Sequence, residues 1–141
     1  MLGCYLAFGE LMRIGETDRL PRLFVSQPEN CAPLHHAIHG SRQVEFLPTV
    51  AEGTAVQSPT RLSYLARVVS ASHGGSTTLS ENEIVAATRR LAKAGILTEP
   101  TSAHAWAGAQ KLLDGGQIKW DEETVVLLTG TGLKSQSVFT D

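Results

Sequence analysis

The chain has 141 residues, 42% hydrophobic and 18% charged, proportions that support one folded domain with a real core and exclude wholesale disorder. Its formal charge of -2 offers no broad basic field, so neither nucleic acid nor an anionic membrane is an expected partner. Two cysteines, Cys4 and Cys31, are too few for a disulfide scaffold and point to free thiols in a reducing compartment, the cytoplasm.

The opening run "MLGCYLAFGELMRIG" does not read as a secretory signal, because only three residues precede Cys4 and no basic segment leads an apolar core. Glu10 and Arg13 interrupt it well short of the ~18 apolar residues of a membrane span. Leu2, Leu6, Leu11, Met12 and Ile14 recur mostly at helical spacing, with Gly15 as a C-terminal cap. No Ser, Thr, Asp or Asn caps the start, which leads to the expectation of a chain cut from a longer protein. "LFVSQP" reads as a short buried strand stopped by Pro28, and "ENCAPLHHAIHG" as a helix with Asn30 near its cap and Gly40 past its end. Residues 44–59 are irregular. Ser58 and Pro59 then start a helix carrying Leu62, Leu65, Val68 and Val69.

"STTL" is a short β-prone run. Ser80 and Glu83 form the capping box S-x-x-E, opening an amphipathic helix with Ile84, Val85, Ala87 and Leu91 that ends at Gly95. "ILTEP" is briefly extended, and "TSAHAWAGAQKLLDGG" is an alanine-rich helix closed by glycines. Last, "TVVLLTGTGLK" reads as a strand buried on both faces that stops at Thr129 and Gly130. Apolar strands alternating with helices of this length imply an α/β fold: a three-layer parallel sheet with helices on both faces. In such sheets ligands gather outside the carboxyl ends of the strands, where Thr129 falls, and a glycine there lets a ligand approach the backbone.

Four segments, "FVSQPENCAP", "PTVAEGTAV", "GILTEPTSAHA" and "VVLLTGTGLK", stand in this order and together resemble the second half of the fold type II pyridoxal-phosphate enzymes, particularly the threonine synthase family. The resemblance makes residues 1–135 the C-terminal portion of that family's large domain, with 136–141 as a tail. It implies pyridoxal 5'-phosphate as cofactor, with the Thr129 hydroxyl hydrogen-bonded to the pyridine nitrogen and Gly130 beside it. Ala51, Glu52 and Gly53 match the family's loop beside the cofactor, and Glu99 matches its Glu-Pro segment near the ring. A neutral hydroxyl does not force a proton onto that nitrogen, whereas a carboxylate would, so elimination and replacement at a small amino-acid substrate are implied. The implied lyase reaction converts O-phosphohomoserine and water to threonine and phosphate. An ammonia-lyase or β-replacement enzyme of the same fold, or a non-catalytic module derived from it, are the alternatives.

The chain departs from the family at two places. None of Lys93, Lys111, Lys119 and Lys134 matches the lysine that anchors the cofactor, each being better explained as solvated, and no glycine-rich phosphate loop precedes the first helix. No catalytic residue is therefore assigned. The chain alone is expected to be inactive, to bind the cofactor weakly or not at all, and to bury uncovered apolar surface in a homo-oligomer. His35 and His39, spaced H-x-x-x-H, have no third ligand at a convincing spacing, so no metal site is expected. Cys31 lacks the electropositive neighbourhood and base of a nucleophile. Trp106 and Trp120 read as packing residues.

Overall fold

The computed structural model describes residues 1–43 and 45–139; Val44, in the irregular 44–59 stretch, and positions 140 and 141 of the tail lie outside the described residues. Five helices, α1 (Leu2–Arg13), α2 (Pro33–Ile38), α3 (Leu62–Ala71), α4 (Glu81–Lys93) and α5 (Pro100–Asp114), accompany two strands, β1 (Phe24–Pro28) and β2 (Gly75–Leu79). The strands are parallel, in register from Phe24 opposite Gly75 to Pro28 opposite Leu79.

Side chains on a strand alternate between faces, and these two strands use both. Ser26 and Thr77 point to α5, where Gly108 packs so closely that an added Cβ would overlap the Ser26 side chain and come within 3.4 Å of Thr77. On the opposite face α2 docks. The His35 amide donates to Gln27 Oε1 at 2.9 Å, and His35 Nδ1 lies 2.9 Å from Ser76 Oγ. The α/β fold with helices on both faces of a parallel sheet thus follows the alternation in the sequence. The core lies where α4 and α5 meet over β2: Ala51, Leu79 and Ile84 form one buried cluster, and Ala87, Leu91 and Ala103 another. Trp106 packs against the second, with the Arg90 guanidinium 5.1 Å from its ring centroid.

Local signals set most helix ends. Ser80 Oγ accepts the Glu83 amide while the Glu83 carboxylate accepts the Ser80 amide at 2.7 Å, completing the capping box of α4. Gly15 takes φ +81 just past α1, as a C-terminal glycine should. Two starts differ from expectation. The cap position of α2 is Ala32, because Pro33 sets the first helical residue, and Asn30 sits in a 3-10 turn with its side-chain Nδ2 donating to Pro48 O. Helix α3 begins at Leu62, after Pro59 O has accepted the Leu62 amide in a turn.

The largest correction concerns the apolar run before Thr129. It is not a strand among the described residues, and it is not buried: Val125 is 80% exposed and Leu127 62%. A buried strand needs neighbours on its edges and faces, and no described strand pairs with this segment. Both its ends are nevertheless tied down. Arg22, just before β1, donates to Gln117 O and to the Glu122 carboxylate, while Thr129 is held at the start of α5. Trp120 is likewise not a packing residue, being 86% exposed. No helix among the described residues is long and apolar enough to cross a membrane.

Candidate functional site

Helix α5 starts abruptly. Glu99 is its N-cap in extended conformation, Pro100 pre-sets the first helical turn, and Thr101 and Ser102 follow. Those two consecutive hydroxyls hold two separate segments. Ser102 Oγ, 2% exposed, accepts the amides of Thr129 at 3.1 Å and Gly130 at 2.8 Å and lies 3.4 Å from Thr129 Oγ1. Thr101 Oγ1 accepts the Gly53 amide at 3.1 Å.

Each glycine lies close to a neighbouring side chain and has no unusual φ. A Cβ on Gly130 would overlap the Glu99 carboxylate, and one on Gly53 would lie 2.8 Å from Thr101 Cγ2. Gly130 is also pinned through its carbonyl, which accepts the Glu99 amide at 3.2 Å and the Thr98 hydroxyl at 2.7 Å. Thr98 and Thr131 form an antiparallel bridge beside it.

The 51–53 loop is equally fixed. Ala51 is fully buried; its carbonyl accepts both the amide and the hydroxyl of Thr54, and its amide donates to Thr49 Oγ1. The Val50 amide donates to Glu81 Oε2 at 2.7 Å, joining this loop to the first turn of α4. Glu52 opens a short 3-10 turn and is exposed, and Glu99 is half-buried. The structure therefore brings Thr129, Gly130, Glu99 and Gly53 to one helical turn and leaves Glu52 at its margin.

Thr101 and Ser102, which organise this convergence, were not singled out by the sequence reading. The available signal was a Glu-Pro pair followed by two hydroxyl residues at a helix start, where unsatisfied backbone donors invite side-chain acceptors. One turn further along α5, His104 is 5% exposed and neither ring nitrogen has a hydrogen-bond partner. Burial holds its imidazole below the usual range, offset in part by the nearby backbone of Thr101 and Ser26.

The remaining sequence candidates separate from this turn. Cys31 is buried, and burial pushes its thiol up, away from thiolate character. His35 and His39 share Ser76 Oγ, at 2.9 and 3.3 Å, and no cluster of three or more His, Cys, Asp or Glu side chains suited to a metal occurs among the described residues. Lys111 is not simply solvated: its ammonium donates to Thr78 O at 2.9 Å and to the Glu83 carboxylate at 3.2 Å.

Chemically, the turn offers a neutral hydroxyl on the exposed residue Thr129 and, packed against Gly130, the carboxylate of Glu99. Such a set suits a polar heteroaromatic ring, which needs a hydrogen-bond partner in its plane.

A family model described as pyridoxal-phosphate dependent enzyme matches residues 1–130. Among curated proteins, the threonine synthase of Methanosarcina acetivorans is 33% identical over 142 residues, covering 97% of this chain and 35% of the relative. That of Methanocaldococcus jannaschii is 33% identical over 133 residues, covering 90% and 33%. The chain thus spans about a third of the length of these relatives. Among solved structures, serine racemase from Dictyostelium discoideum is similar in fold, with a TM-score of 0.60 and 17% identity over 93% of this chain and 49% of that one.

Proposed function

Because the chain belongs to the pyridoxal-phosphate dependent enzyme family, we propose that it supplies the ring-facing part of a threonine synthase-like lyase that converts O-phosphohomoserine and water to threonine and phosphate. The observation that carries the reading is the convergence of Thr129, Gly130 and Glu99 on the first turn of α5. The names of the relatives support the substrate. When bound, pyridoxal phosphate supplies the electron withdrawal that the reaction needs.

The chain's own residues do the placing. Thr129 would hydrogen-bond the ring nitrogen through its hydroxyl; Gly130, having no side chain, lets the Glu99 carboxylate pack against it, where that carboxylate would be a second polar contact. Gly53, fastened to Thr101, holds the Ala51–Glu52 loop at the rim. None of these groups anchors the cofactor covalently or cradles its phosphate. One neutral hydrogen bond contributes about 1 kcal/mol, too little to retain the cofactor. The 141-residue chain alone therefore binds it weakly and turns nothing over. We place the enzyme in the cytoplasm as a homo-oligomer, a reading supported by two free thiols and by the exposed apolar side chains of α1 and residues 125–128.

The test is phosphate release by the full-length product of the gene, offered O-phosphohomoserine, serine, threonine and diaminopropionate separately. Phosphate and threonine formed from the first alone bear the proposal out. Ammonia from serine, threonine or diaminopropionate, with no phosphate release, replaces it by the ammonia-lyase alternative. For the isolated chain, borohydride treatment with the cofactor leaves the mass unchanged; an added mass at one lysine, with turnover, would refute its expected inactivity.

A further inference from the structure

A hydroxyl has two lone pairs and one proton. Ser102 Oγ spends its lone pairs on two consecutive amides, Thr129 at 3.1 Å and Gly130 at 2.8 Å, and so has only its proton left for a third polar atom. The third atom beside it is Thr129 Oγ1, at 3.4 Å. That separation is longer than a tight hydroxyl pair; contacts of this kind at binding sites commonly shorten when the ligand arrives. Ser102 is buried and Thr129 exposed, so the chain of donors runs outward.

We propose that Ser102 is a positioning residue that fixes the donor sense of Thr129, so that this hydroxyl presents its proton, not its lone pairs, to a heteroaromatic ring nitrogen. The inference rests on the reading of Thr129 above. It adds that the direction of the Thr129 hydroxyl is set by Ser102 and not by the ligand alone. Both halves of the role, holding the 129–130 backbone and directing the hydroxyl, come from one oxygen that the helix start cannot move. The Glu99 amide on Gly130 O and the Thr98 hydroxyl on the same atom fix the segment from its other side.

The test uses the 141-residue chain and two readouts, neither of them activity. In the ligand-free chain, Ser102→Ala leaves the Thr129 and Gly130 amides without their acceptor, and their hydrogen exchange by NMR should quicken roughly tenfold or more relative to wild type. Thr129→Val, which keeps Ser102, should leave the Gly130 amide slow. Unchanged exchange in Ser102→Ala overturns the proposal. The second readout compares 4-deoxypyridoxine 5'-phosphate with its N-methylated form, whose ring nitrogen accepts nothing. Amide shift titrations should show wild type favouring the unmethylated probe several-fold, with the preference narrowed in Ser102→Ala and lost in Thr129→Val. Equal, saturable response of wild type to both probes overturns the donor sense, and no response to either at millimolar concentration refutes the reading of Thr129. A preference that survives Thr129→Val instead refutes the reading of Thr129, while the exchange result still judges Ser102.

Discussion

Thr129 has one neighbour, Ser102, that no spacing rule would have paired with it. The residue and its glycine were legible, because a hydroxyl followed by Gly at the end of an apolar run is a local pattern; Ser102, twenty-seven residues earlier, was not, because its role exists only once α5 folds back. Replacing Thr129 with Val keeps the volume and removes the outward donor. In the full-length enzyme this should weaken cofactor binding by about 1 kcal/mol, near fivefold, while Thr129→Ser stays close to wild type. Cofactor titration by absorbance checks both. His35 carries a different expectation. Burial first, then the charges of His39 and His36, hold its imidazole below the usual range, and burial acts on His104 in the same direction. A depressed folded-state value means the unfolded chain takes up more protons below about pH 6.5. Stability is then full above that pH and is lost as pH falls through the window between the unfolded and folded values. Around His35 the facing groups of β1 and β2, Gln27 and Ser76, are neutral. Thermal unfolding should show a lower midpoint at pH 5.5 than at 7.5, and His35→Gln should shrink that difference. Equal midpoints in wild type would contradict the assignment.

At the scale of elements, success followed locality. The S-x-x-E box located the start of α4 because both of its hydrogen bonds lie within four residues; Ser80→Ala should cost about 1 kcal/mol, read from urea unfolding. Asn30 failed as a cap because Pro33 competes for the same job from inside the helix. The run 124–128 failed for a deeper reason: apolar composition records a wish for burial, and burial is supplied by a neighbour that the segment does not encode. How α5 meets the sheet was equally hidden. Gly108 looks like a weak point in a helix, yet it is where the helix touches Ser26 and Thr77. Gly108→Ala should destabilise by roughly 1–3 kcal/mol through overpacking, despite raising helix propensity. A stabilised variant would mean that α5 can lift away from β1 at little cost.

Across the whole molecule, apolar surface is unevenly covered. Helix α1 buries none of its residues, and Leu6, Ile14, Val125 and Leu127 are each more than half exposed. Exposed apolar side chains favour association where they meet on a surface. Sedimentation should show mass rising with concentration, and Val125→Lys with Leu127→Lys should reduce it; a wild-type monomer at all concentrations would count against the expected oligomer. The parallel register has its own consequence, in time rather than space. Phe24 must meet Gly75, fifty-one positions later. At about 5–20 residues per second of synthesis, β1 leaves the ribosome several seconds before its partner exists. During that interval the edge of β1 that will carry β2 has no strand to pair with. An unpaired strand edge is a template for wrong partners, so this is the stage at which a chaperone would be of use to the nascent chain.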